Sequence, residues 1–497
     1  MLWSSRASRT ELRDRKKHRF HFLERELRSS ARFLSCARPR RDHNRRTSNA
    51  LPELRVAGET LARRLLRSGR EKYIETIRQH GRTAVKRILS ILVFVAPLLG
   101  GSAPIILGQS SSTGVLPAPD YDTFTPPPAG SAYNDPVFGT TIKRLSNAVA
   151  TPDSANGGYL TWITNEYSTP SAFNSDNSRF LLVHQSYFAL YDASGAYIRD
   201  LPFEINASSE PRWSRRDNAT LYYRSGNQLK SYNTSTLATT VLRTFNEYTS
   251  IGGRGTADIS YDGDHLVLVG DSRNVFVYEI STNRKLQVLN MAQRAFDNVQ
   301  ITPRNNVLVS WLQSGTKRFN GIELYDINMK FQRQVAHSGG HMDVTLDSSG
   351  DELMVWTNSN DAQPIPSCNN GIVKVRLRDG VQTCLAQLDW SLAVHISAPD
   401  GNGYVYVDTE APVNPQPGTS GWVPYTNEIL QIRLDGGGVI RWAHHRSRPF
   451  DSYNWQPKLS ISRDGTKLLY SSNYNLQAIE GTTHPTLYTD AYLIVFK

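Results

Sequence analysis

Cysteine is nearly absent, with three residues in a chain of 497. They form no Cys-x-x-Cys pair and no Cys/His cluster, which excludes a structural zinc site of the finger or ribbon kind. No G-x-S-x-G elbow occurs, so an appended serine hydrolase is excluded. There is no Walker motif and no G-x-G-x-x-G opening a helix, which removes P-loop and dinucleotide-binding readings. Gly252-Gly253-Arg254-Gly255 is glycine-rich, but it leads into a strand pattern. The folded part also lacks a basic excess. The formal net charge is +11, yet residues 1–90 hold 25 Lys+Arg against 9 Asp+Glu, a balance of +16. The rest holds 31 against 36, a balance of −5, so no nucleic-acid partner is expected.

What is present begins with an apolar run. Residues 88–108, I-L-S-I-L-V-F-V-A-P-L-L-G-G-S-A-P-I-I-L-G, carry no charge, follow Lys86-Arg87 and precede a polar, Pro-rich stretch. That is the pattern of a secretory signal. The run is long enough to span a bilayer, but its two prolines and three glycines favour cleavage near Gly108 over a retained span. A signal normally opens a chain. The Arg-rich residues 1–84 are therefore expected to be a mis-assigned extension, with the natural start near Val85; a cytoplasmic basic arm is the rival reading. The expected organisation is a basic extension (1–84), a signal or membrane segment (85–108), a Pro/Ser-rich linker (109–136) and one all-β domain (137–497). The expected location is secreted or periplasmic, with no membrane contact beyond the signal segment. There, Cys368 and Cys384 flank two short strands around an Arg-Asp-Gly turn. They either form a disulfide or remain two thiols on neighbouring strands.

After residue 109 no long helical pattern appears. Short runs rich in Val, Ile, Leu, Tyr and Phe alternate with Asp-Gly, Asn-Gly and Ser-Gly turns. One unit recurs seven times: a short strand, a turn built on Asp, Asn or Gly, then a strand of apolar residues. The first apolar residues after the turns are Phe180, Leu221, Leu266, Val307, Leu353, Tyr404 and Leu468, separated by 41, 45, 41, 46, 51 and 64. That spacing fits the four-stranded blades of a seven-bladed β-propeller. The orphan strand F-G-T-T-I-K-R-L-S (138–146) is expected to pair with the C-terminal D-A-Y-L-I-V-F-K, closing the ring and covering both exposed edges.

The stretch S-R-D-G-T-K-L-L-Y-S-S-N-Y-N (462–475) resembles the repeat of TolB-type, WD-repeat-like propellers. The resemblance covers about 137–497. It is clearest around Asp262-Gly263 and Asp464-Gly465 and degraded around Arg304 and Ser349.

In such a ring the segments leading into the innermost strands gather at one mouth of the axial channel. Counting back eight from each turn selects Ser168, Ser209, Arg254, Ala295, His341, Leu392 and Gln456, with His395 close by. Imidazoles and an amide oxygen on one axis could hold a divalent metal at His341, His395 and Gln456, with ring orientation set by partners such as Asp343. The wider ligand-binding set is Tyr167, Arg254, His341, Asp343, His395, Trp455 and Gln456. Long loops after the second strands of the last three blades open on this same face. Tyr167, Trp390, Trp422, Tyr425, Tyr453 and Trp455 could stack on sugar rings or fill the space between blades.

Two functions follow. The leading expectation is a monomeric, exported binding or interaction propeller, without cofactor and without catalytic residues, receiving a glycan, peptide or envelope protein. The alternative rests on the histidines and Gln456, which are similar to the metal site of oligogalacturonate lyases, seven-bladed propellers that bind a metal near the axis. That resemblance implies a metal-dependent polysaccharide lyase or hydrolase, with Arg254 or a lysine as base or carboxylate clamp. No third histidine matches clearly, although His337, His444 and His445 are candidates.

Overall fold

The computed structural model describes residues 113–358, 368, 370–481 and 484–496. The basic extension and the signal segment lie outside the described residues, as does most of the loop 359–369. Seven antiparallel sheets follow in chain order, and together they make a seven-bladed propeller. Blades 1 to 6 have four strands each, in simple up-and-down order. The seven apolar marks all fall in second strands, from Phe180 in Arg179–His184 to Leu468 in Lys467–Ser472.

Why the second strands read as unbroken apolar runs is visible in blade 1. Side chains alternate across a strand, so Phe180 and Leu182 face one way and Leu181 and Val183 the other. The first pair packs with Leu469 and Tyr492 of blade 7, the second with Trp213 and Leu221 of blade 2. A blade between two blades has no solvent face, and both halves of the alternation must be apolar. In blade 3, Leu266 and Leu268 likewise pack toward blade 2, and Val267 and Val269 toward blade 4. Burying each such side chain contributes about 1.5–3 kcal/mol.

The turns have the chemistry their residues allow. Asp262 Oδ1 accepts from the Asp264 amide at 2.9 Å while Gly263 sits at φ +69°. Asp464 and Gly465 repeat this, with Thr466 N donating at 3.0 Å and a φ of +75°.

Blade 7 is built from both ends of the propeller. Ser460–Ile461, Lys467–Ser472 and Asp490–Val495 supply three strands. Thr141–Arg144 pairs antiparallel with Asp490–Val495, with Ile142 opposite Ile494, and Ala132–Asn134 adds a fifth strand outside it. The fully buried Asp490 is the clasp. One oxygen accepts from Arg144 Nη2 at 2.7 Å, the other from Ser146 Oγ and the Ala148 amide, both at 2.9 Å.

Cys368 and Cys384 form a disulfide with their Cα atoms 5.5 Å apart, tying the segment before Gly371–Arg376 to the outer strand Gln382–Gln387. Among the described residues no helix is long and apolar enough to cross a membrane.

Candidate axial site

Three of the residues singled out above meet across the axis. Tyr167 lies between the first and second strands of blade 1 (Ile163–Thr164 and Arg179–His184), His341 immediately precedes the innermost strand of blade 5, and His395 lies within that of blade 6 (Ala393–Ser397). Tyr167 Oη is 3.1 Å from His341 Nδ1, and the two imidazole rings are 4.7 Å apart, nearly edge-on. The Tyr167 ring stands edge-on to His395 at 5.5 Å. A blade 1 side chain that touches blades 5 and 6 necessarily spans the mouth of the channel.

His395 is oriented by two carboxylates at the end of the second strand of its own blade, Tyr404–Glu410. Its Nδ1 lies 3.1 Å from Glu410 Oε1 and 3.4 Å from Asp408 Oδ1. Asp408 also accepts from the backbone amides of His395 at 3.2 Å and Leu459 at 2.8 Å, which joins blades 6 and 7. Burial alone would lower the His395 pKa, but the Glu410 and Asp408 carboxylates outweigh it and push it up to about 10. The other ring nitrogen, Nε2, is buried and has no hydrogen-bond partner among the described residues. Gln456, half-buried in the segment leading into blade 7, has a buried Oε1 in the same condition.

The remaining expected site residues point elsewhere. Asp343 does not orient a histidine; its carboxylate accepts from the amides of Val344 at 2.8 Å and Ala398 at 2.7 Å, bridging blades 5 and 6. Arg254 is exposed at φ +61°, its guanidinium 4.2 Å from the Phe296 ring and 3.1 Å from the Ser272 carbonyl. The Gly-rich segment around it is clamped from blade 2. Glu210 accepts from Gly255 N at 2.8 Å, and Arg212 donates to Gly255 O at 3.2 Å while pairing with Glu166 at 2.9 Å. Trp455, Trp422 and Tyr425 are buried, whereas Trp390 is 44% exposed. Leu392, chosen by the eight-residue count, sits in the apolar core with Val394 and Ile396, because the blade 6 register brings His395 to the axis instead.

Sequence reasoning missed Glu410, Asp408 and Glu166. The first two had a signal. In Y-V-Y-V-D-T-E, two acids end a strand that opens on four aromatic and aliphatic residues, and buried acids require partners.

Below this cluster the channel is nearly filled. A cavity of about 30 Å³ remains, lined by every blade from Thr169 of blade 1 to Arg463 of blade 7. The turn face is closed by ion pairs that cross the axis: Arg215 of blade 2 to Asp400 of blade 6, and Arg463 of blade 7 to Asp258 of blade 3 at 3.0 Å. Arg215 also covers the Tyr261 ring at 4.3 Å.

No protein-family model matches the sequence, and no curated protein matches it. Solved structures do. An oligogalacturonate lyase in complex with manganese superposes with a TM-score of 0.52 at 14% identity, over 74% of this chain and 96% of its own. An oligogalacturonate lyase from Vibrio parahaemolyticus gives 0.52 at 12% identity, over 73% and 96%. At these identities the likeness establishes the propeller fold that this chain shares with them.

Proposed function

We propose that this chain is an exported, carbohydrate-active propeller that receives an acidic sugar polymer at its axial mouth and holds a divalent cation with His341, His395 and Gln456, as a metal-assisted polysaccharide lyase. One observation carries this reading. His395 has Nδ1 on a buried carboxylate and a buried Nε2 with no partner among the described residues, whose proton a bound cation would displace, with the His341 ring 4.7 Å away. Metal-ligating histidines characteristically have their second nitrogen on a carboxylate, which fixes tautomer and orientation. Gln456 Oε1 offers a further acceptor in need of a partner. A bound cation would withdraw charge from a uronate carboxylate and acidify the neighbouring C–H. The chain's own residues position the site: Glu410 orients His395 through Nδ1, and Tyr167 holds His341 and offers its ring to a sugar. The manganese bound by the similar lyase supports the metal. The disulfide, of a kind that persists in oxidising compartments, supports export together with the signal-like run at 88–108.

A second reading, binding without turnover, is favoured by Arg254. Its side chain is engaged with Phe296 and Ser272, leaving the expected base committed outside the histidine cluster.

Purified protein is expected to hold one equivalent of Mn, Ca or Zn, and His341→Ala is expected to lose it. Incubation with polygalacturonate should produce the ultraviolet absorbance of an unsaturated uronate. Metal and glycan binding without that product would establish the second reading; absence of stoichiometric metal in the wild-type chain would remove the lyase.

A further inference from the structure

The Pro-rich stretch ahead of the propeller is gripped along its backbone by buried arginine and histidine side chains. Arg441 donates to the Gly114 carbonyl at 2.6 Å, His444 Nε2 to Leu116 O at 2.8 Å, and Arg446 to Pro119 O at 2.8 Å; Arg448 donates to Tyr121 O. All three arginines are at most 1% exposed. Arg448 covers the Tyr121 ring at 3.5 Å and Arg446 the Phe124 ring at 4.2 Å, while Tyr121 meets buried Trp422 edge-on at 4.9 Å. Buried guanidinium groups tolerate carbonyl partners only where the geometry is fixed, so this segment is an integral part of the domain.

The gripping segment, residues 441–448, holds the propeller with its alternate residues. Between His444, Arg446 and Arg448, His445 Nε2 donates to Thr409 O at 2.8 Å and Ser447 Oγ donates to Trp455 O. Tyr121 completes the link. Its Oη accepts from Asn427 Nδ2 at 3.1 Å, and Asn427 Oδ1 accepts at 2.9 Å from the amide of Ala411, the residue after Glu410.

We propose that Gly114–Asp122 is a positioning strap for the axial site. By fixing Asn427 and the end of strand Tyr404–Glu410, it sets where Glu410 and Asp408 hold His395. The functional consequence rests on His395 being a metal ligand; the coupling itself does not.

Tyr121→Phe in the full chain removes one hydroxyl and keeps the ring packing on Trp422 and Arg448. Hydrogen exchange of the metal-free protein is expected to speed up about tenfold at Ala411 and Glu410 and across 393–397, the effect of losing one buried hydrogen bond. The melting temperature should stay within ~2 °C of wild type. Mn²⁺ affinity, measured by calorimetry, is expected to fall several-fold. Exchange that is unchanged at 408–411, or faster only within 113–127, would overturn the strap's positioning role. If the wild-type chain binds no Mn²⁺ while the exchange coupling holds, the metal reading fails and the strap stands.

Discussion

Two buried histidines make the molecule sensitive to mild acid. Burial holds His184 in blade 1 and His445 beside blade 6 as neutral rings, each lowered to about 4. An unfolded histidine titrates near 6.5, so below that pH the unfolded chain binds protons that the folded one refuses. The contribution of these two groups to stability is complete above about pH 6.5 and is lost as the pH falls toward 4. The slope reaches ~1.4 kcal/mol per pH unit for each histidine. His395 does not disturb this window, because with its pKa raised to about 10 it is protonated in both states below pH 6.5. Urea midpoints at pH 6.5 and pH 5 are therefore expected to differ clearly, and His445→Asn, which keeps a side-chain amide in place of the ring, should flatten the profile. Equal midpoints would contradict the burial of both rings.

At the scale of elements, the disulfide is an independent brace within blade 5. It closes a loop of 16 residues across a buried segment. Chain-entropy arguments give such a loop about 3 kcal/mol, so Cys384→Ser should lower the unfolding free energy, measured by urea titration, by about that much, and reductant should reproduce the loss in the wild-type chain. The blades were legible in the sequence because each carries two local signals, an Asp or Gly turn and an apolar run that faces a neighbour on both sides. Leu266 to Val269 show why the run is unbroken. Counting from those turns selects His341 and leaves His395 only as a neighbour, and Leu392 shows where counting fails: the register of one innermost strand moves the axial position to His395. The strap left no such trace. It is held through its carbonyl groups at Gly114, Leu116, Pro119 and Tyr121, and a carbonyl has no side-chain signature. Its partners stood in plain view in R-W-A-H-H-R-S-R (441–448), but nothing in that string names the segment they grip.

The ring as a whole depends on one clasp. Asp490 receives Arg144, Ser146 and Ala148 with both carboxylate oxygens in full burial, and those residues come from opposite ends of the domain. Asp490→Ala would leave a buried guanidinium without its anion, a loss of about 3–5 kcal/mol. Because all seven blades share their faces, the melt is expected to remain a single transition at lower temperature; a separate early step confined to blade 7 would show that closure is local. The opposite end of the axis has its own consequence. With Arg215–Asp400 and Arg463–Asp258 bolted across the turn face, the remaining hollow of about 30 Å³ admits about one water molecule. Nothing can thread this ring like a bead on a string. On the proposed reading, a polymer would present a tip or a flank at the histidine mouth, and a released product would leave by the door through which it came.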